Sequence, residues 1–257
     1  MNEPEPKPSI LTRGNGATIA YHRLSGKGPG VIFMTGFMSD MTGGKALALE
    51  EMCRARGQAY LRFDYRGHGA SSNAFKEGCI GDWADDALDV LDRLTQGPQL
   101  LVGSSMGGWI MLLTALARPE RVAGLVGIAP APDFTENLIW RELTERQRRV
   151  MAEQGFVEIP SDYGDQPYVI TQRLIEDGRK HLLLDKGKLP LAMPVRIIQG
   201  MDDKDVPWQT ALDIQKAVES RDVEVTFVKS GGHRLSEPED LARLTRTVAA
   251  LLDQVET

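Results

Sequence analysis

The stretch Leu100-Leu101-Val102-Gly103-Ser104-Ser105-Met106-Gly107-Gly108 sets the reading of the whole chain. Its first three residues are apolar, as a strand covered on both faces requires. Gly103-Ser104-Ser105-Met106-Gly107 then matches Gly-x-Ser-x-Gly, and Met106 to Ala117 continues as an apolar helix that stops before Pro119. The five-residue pattern alone is weak, because small residues recur by chance. A strand before it and a helix after it make it specific. The serine then sits on a sharp, strained turn, and the glycines let strand and helix approach without a Cβ between them. Ser105, the central residue, is the candidate nucleophile. Ser104 is out of frame and reads as strand-end packing.

Working outward, short β-rich runs alternate with helix patterns. Val31-Ile32-Phe33-Met34 is a strand ending at Gly36, Lys45 to Arg56 a helix closed by Gly57, and Ala59 to Phe63 the next strand. Trp83, Ala87, Leu91 and Leu94 share one helical face, and Gly97-Pro98 stops that helix. Val122 to Ile128 is a further strand. Such alternation predicts a mostly parallel sheet with helices on both faces. From Asp133 to Leu189 the rhythm breaks into a charged, mainly helical segment with Arg141, Arg146, Arg148 and Arg149. It includes a Pro/Gly/Tyr-rich stretch from Ile159 to Tyr168 and a second helix pattern from Val169 to Leu184. The sheet resumes at Val195 to Ile198, followed by a helix from Pro207, a strand at Val223 to Val228 and a last helix. Ser236 and Glu239 are spaced as a capping box for that last helix. The expectation is a core of residues 1–132 and 190–257 with a cap inserted at 133–189.

Composition narrows the function classes. At 257 residues with 42% hydrophobic and 26% charged residues, the chain can bury a real core, which excludes disordered and fibrous classes. A net charge of −6 makes nucleic acid an unexpected partner. Cys53 and Cys79 cannot build a disulfide framework, and no spaced Cys/His set suggests a metal site. The ten methionines are scattered and read as core packing. Met1 to Ser9 carries no apolar signal-peptide core, and no apolar run is long enough to span a bilayer. A cytoplasmic protein without stable membrane insertion is expected.

A serine nucleophile needs a base, and the base needs an orienting carboxylate. In strand–turn–helix sites of this kind the acid and then the histidine follow the serine along the chain. Of the four histidines, His22 and His68 precede Ser105, and His181 falls in the cap ahead of the late acids. His233 is left, in the loop Ser230-Gly231-Gly232-His233-Arg234 after a predicted strand. Four carboxylates could orient it: Asp202, Asp203 and Asp205 after the strand ending at Ile198, and Asp133 after the preceding one. An oxyanion hole would use the backbone N–H groups of Met106 and Phe37. Asp64 and Arg66 read as braces of the turn Asp64 to Ser71, with His68 incidental. The cap arginines read as a solvated face, with a lesser reading that one meets an anionic substrate group.

The elbow, the late acid and the terminal histidine together resemble the α/β-hydrolase superfamily over nearly the whole chain. Its members commonly place the acid in a Gly-x-x-Asp-x-x-Val-Pro turn. Gly200, Asp203, Val206 and Pro207 match that turn, which implies Asp203 as the acid. Asp64 to Ser71 is similar to the family's Asp-x-Arg-Gly-x-Gly-x-Ser stretch. Thr35-Gly36 departs from the usual His-Gly beside the second oxyanion donor.

The strings Lys45-Ala46-Leu47-Ala48, Arg62-Phe63-Asp64-Tyr65, Gly103 to Trp109, Gly200 to Asp203 and Val206-Pro207-Trp208 resemble the branch containing the mitochondrial palmitoyl-protein thioesterase. That enzyme also deacylates acyl glucuronides. With no transit peptide visible, the chain resembles a bacterial relative. The resemblance implies a Ser105–His233–Asp203 hydrolase of esters or thioesters, needing no cofactor and acting on small molecules or acylated proteins. Two rivals stand beside it: a C–C bond hydrolase with the same triad, and a non-catalytic binding module.

Overall fold

A computed structural model describes residues 6–160 and 167–256. The first two elements, β1 (Ser9–Thr12) and β2 (Thr18–Leu24), are strands that the sequence pattern did not announce. They form an antiparallel hairpin, and β2 continues antiparallel onto β4 (Gln58–Phe63). Between them come β3 (Lys27–Met34) and α1 (Gly44–Arg56), which Gly57 ends in the left-handed region at φ 63. After β4 follow α2 (Ile80–Leu94), β5 (Gln99–Ser104), α3 (Met106–Ala117) and β6 (Val122–Ile128).

The chain then leaves the sheet for a segment built from a six-residue π-helix (Thr135–Trp140), α4 (Glu145–Gln154), β7 (Phe156–Ile159), β8 (Tyr168–Thr171) and α5 (Gln172–Gly178). It returns through β9 (Val195–Gly200), α6 (Gln209–Ala217), β10 (Val223–Val228) and α7 (Pro238–Val255).

The main sheet has eight strands in the order β1-β2-β4-β3-β5-β6-β9-β10. Every pairing from β4 to β10 is parallel. Two apolar layers follow from the strand alternation. Ile32, Leu101 and Leu125 face one layer with Trp83, Trp109 and Leu112, while Val31, Val102 and Val126 face the other with Leu49, Cys53 and Val248. Helices therefore cover both faces, as the alternation predicts.

Three local expectations need correction. Val169 to Thr171 lies in β8 rather than in a long second helix, and α5 is limited to Gln172–Gly178. The β-branched Val169-Ile170-Thr171 finds a partner in β7, with Val157 opposite Ile170 and both buried. The inserted segment is thus helical with a two-stranded sheet of its own. Part of the Pro/Gly/Tyr-rich stretch Ile159 to Tyr168 and the first five residues lie outside the described residues. Ser236 does not cap α7: Glu237 holds the N-cap position without a side-chain cap bond, and Pro238 opens the helix. Proline at the first helical position has its φ preset and lacks an N–H that would need a partner there.

Asp64 and Arg66 brace their turn as expected. The Asp64 carboxylate accepts the N–H groups of Met41 (2.7 Å) and Ala70 (2.8 Å), and Arg66 pairs with Asp82 and Asp86. His68 is more than incidental. It is buried edge-on among Tyr65, Phe75 and Trp83, and its Nε2 has no partner among the described residues. Burial pushes the imidazole down to about 4.

An unfolded chain protonates His68 near its ordinary value, so its contribution to stability is complete above about pH 6.5 and is lost as pH falls toward 4. The loss from this residue should reach roughly 3 kcal/mol. Urea unfolding at neutral and acid pH should show a smaller acid destabilisation in His68→Phe than in the parent. Equal pH dependence in the two proteins would contradict the assignment.

Candidate active site

Ser105 occupies the turn between β5 and α3 with φ 55 and ψ −120. A non-glycine residue in that region is strained by about 1–3 kcal/mol and persists only where its surroundings hold it. Here the Ser105 N–H donates to Ile128 O (2.9 Å), and the Ser105 carbonyl accepts from Gly108 (2.8 Å) and Ala131 (3.0 Å). The glycine after the nucleophile is required by contact. A Cβ at Gly107 would collide with the carbonyl oxygens of Met34 and Thr35.

The structure brings the three residues expected from the sequence together from the ends of three different strands. His233 Nε2 lies 2.9 Å from Ser105 Oγ, and His233 Nδ1 lies 2.9 Å from Asp203 Oδ2. A carboxylate only accepts, so Nδ1 carries the proton and Nε2 presents its lone pair to the serine hydroxyl. The Asp203 side chain is 0% exposed and that of His233 15%. Close approach of the two loops depends on Gly200, where a Cβ would meet the Gly231 carbonyl. Asp202 N–H donates to that same carbonyl (3.0 Å).

Asp203 is held by four hydrogen bonds. Oδ1 accepts the N–H groups of Asp205 (2.9 Å) and Val206 (2.8 Å), and Oδ2 accepts from His233 and from Gln199 Nε2 (3.0 Å). These donors replace water around the buried charge. Sequence reasoning missed Gln199. Its sequence signal was a glutamine placed directly after the strand run Val195-Arg196-Ile197-Ile198, and in the structure it is fully buried.

The carboxylates of Asp203 and Asp205 and the His233 ring place ligand atoms within 4.8 Å of one another. Both Asp203 oxygens are already committed to N–H donors, so the cluster is a hydrogen-bond network rather than a ready cation cage. The other acid candidates lie elsewhere. Asp133 is buried under the inserted segment, where its carboxylate accepts the Leu183 and Leu184 N–H groups (both 2.8 Å) and burial raises its pKa. Asp202 is exposed and pairs with Lys204.

Phe37 and Met106 both line the cavity above Ser105, and their N–H groups have no backbone acceptor among the described residues. The Phe37 ring is packed edge-on against Phe75, Trp83, Phe134 and Tyr168, which fixes the loop carrying its N–H. The cavity measures about 710 Å³. The inserted segment contributes Leu138, Ile139, Leu143, Ile159, Tyr168 and Ile170 to its wall. None of Arg141, Arg146, Arg148 and Arg149 lines it; Arg148 instead stacks over Trp140 at 4.8 Å. No described helix is long and apolar enough to cross a membrane.

The sequence pattern of the alpha/beta hydrolase family matches residues 44–244, most of the chain. The chain belongs to the alpha/beta hydrolase family. This hydrolase is 40% identical over 250 residues to the mitochondrial palmitoyl-protein thioesterase ABHD10 of Bos taurus, covering 97% of the chain and 81% of the relative. The mouse protein of that name is 41% identical, with 97% and 84% covered.

Among solved structures, mouse alpha/beta hydrolase domain-containing protein 10 superposes with a TM-score of 0.89 at 40% identity, covering 97% of this chain and all of that one. A hydrolase from Agrobacterium vitis S4 gives a TM-score of 0.92 at 39% identity, covering 96% and 100%. The cytoplasmic location expected from the sequence finds no support in the thioesterase relatives, which are named mitochondrial proteins.

Proposed function

We propose that this hydrolase cleaves acyl thioesters, and more slowly carboxylic esters, through an acyl-enzyme on Ser105. The observation that carries the reading is the unbroken relay Ser105 Oγ–His233–Asp203 opening into a cavity with an apolar wall. The Ser105 hydroxyl attacks the acyl carbonyl while His233 Nε2 takes its proton. Asp203 keeps the imidazole in the right tautomer and stabilises the imidazolium. The tetrahedral oxyanion is received by the Phe37 and Met106 N–H groups. His233 then returns the proton to the departing thiolate or alkoxide. Water, deprotonated by the same histidine, releases the carboxylic acid and restores Ser105.

Residues 133–189 act as the cap, and their apolar side chains receive the acyl chain. A cavity of about 710 Å³ lies within the range of pockets that bury ligands of drug size, about 300–1,000 Å³. The relatives named as palmitoyl-protein thioesterases support a long acyl group.

The test is kcat/KM for thioesters of one thiol with acyl chains from acetyl to palmitoyl, with Ser105→Ala as blank. If the acyl chain enters the cavity, kcat/KM should climb by up to about fourfold per added methylene until the cavity is filled. A flat or falling series would remove the cap from acyl binding. A preference for matched oxyesters would replace thioester with ester as the substrate.

A further inference from the structure

The loop that carries Phe37 holds a strained residue whose strain nothing in the protein core repays. Gly36, Phe37, Met38 and Ser39 form a turn closed by the Ser39 N–H on the Gly36 carbonyl (3.2 Å). Met38 stands at its third position with φ 54, the left-handed region that glycine or asparagine occupies without strain. An unbranched apolar side chain at such a place normally signals packing. Yet Met38 belongs to neither core cluster and is 44% exposed, while its neighbour Phe37 is locked into the aromatic cluster.

Met38 instead lines the reaction cavity, beside Ser39, Asp40 and Gly43 and together with Lys45 and Arg234. That group comes from core loops and helix starts and is mostly polar. The cap side of the same cavity is mostly apolar, with Glu142 and Gln147 among its lining residues. Lys45 donates to the Arg234 carbonyl, one residue from His233, so this polar wall adjoins the histidine that protonates the leaving group.

We infer that Met38 is a specificity residue whose thioether arm contacts the leaving group of the substrate, and that it favours a thiol or alcohol with an apolar stretch next to the scissile bond. The inference rests on the acyl-transfer reading above. Strained backbone at a site is retained where the site uses it. Methionine suits the role because its flexible, polarizable arm adapts to different alkyl groups. Glycine at this position would keep the turn and lose only the arm.

Steady-state kinetics on octanoyl thioesters of butanethiol and of mercaptoethanol test this, using the parent, Met38→Gly, Met38→Asn and Met38→Leu. Met38→Gly and Met38→Asn should raise KM for the butanethiol ester roughly 3- to 10-fold with most of the effect in KM rather than kcat. The mercaptoethanol ester should shift by less than about twofold, because it offers little apolar surface. Met38→Leu should recover most of the loss, and thermal unfolding should show Met38→Gly no less stable than the parent.

Equal KM values across the variants would overturn the contact. A penalty that follows acyl length instead of the thiol would move Met38 to the acyl side and overturn the assignment. A fall in kcat at constant KM would mean that the strain serves the Phe37 N–H. If the parent protein turns over neither thioester above Ser105→Ala, it is the acyl-transfer reading that fails.

Discussion

Ser105→Ala should lower kcat/KM for thioesters by about 10⁴–10⁶-fold, and His233→Ala should do nearly as much. The double variant should be no worse than the worse single one. Among the described residues Ser105 Oγ is the hydrogen-bond partner of His233 Nε2, and a histidine without its serine loses the hydroxyl it would activate. The two losses therefore share one interaction and do not add. Residual turnover would come from the Phe37 and Met106 N–H groups acting on an attacking water. The measurement is kcat/KM for the three variants with an unfolding curve for each. Multiplying losses in the double variant would show that serine and histidine act separately and would break the relay.

Asp203→Asn should cost about 10⁴-fold in kcat while the protein stays folded. The reason is in the donor count around the carboxylate. Oδ2 faces His233 Nδ1 and Gln199 Nε2, and Oδ1 faces the Asp205 and Val206 N–H groups. An amide NH₂ must point at one of these donor pairs whichever way it turns. Pointed at His233, it asks Nδ1 to accept and moves the ring proton to Nε2, where it blocks the Ser105 hydroxyl.

Asp133→Asn provides the contrast. It disturbs the Leu183 and Leu184 N–H groups, so it should reduce stability while kcat of the folded protein stays within a few-fold. The reverse result, an active Asp203→Asn and an inactive Asp133→Asn, would transfer the acid role.

Much of this was legible in the sequence because it depended on short-range rules. The Leu100 to Gly108 stretch reports strand, turn and helix within nine residues, and α3 begins at Met106 and ends at Ala117 as read. His233 could be reached by elimination among four histidines, since chain order left no other. The acid could not be chosen by spacing among Asp133, Asp202, Asp203 and Asp205. Resemblance to a family turn pointed to Asp203, and in the structure its buried carboxylate lies within hydrogen-bond distance of Nδ1.

What sequence reading lost depends on partners and backbone angles that no residue pattern reports. Val169 to Thr171 becomes a strand only because Phe156 to Ile159 lies beside it, and no periodicity within the segment reports that partner. Gln199 gains its role from a turn four residues away, and Met38 from a backbone angle that composition does not encode. His68 looked idle in a polar loop because no residue pattern reports that Phe75 and Trp83 fold back onto its ring.

The most direct test of the account is to find the acyl group on the protein. Rapid acid quenching of the protein mixed with excess octanoyl thioester, followed by peptide mass spectrometry, should place one octanoyl group on the peptide containing Ser105. The adduct should be absent from Ser105→Ala. An octanoyl group on Cys53, Cys79 or a lysine, or full turnover with no adduct at any quench time, would contradict an acyl-enzyme on Ser105.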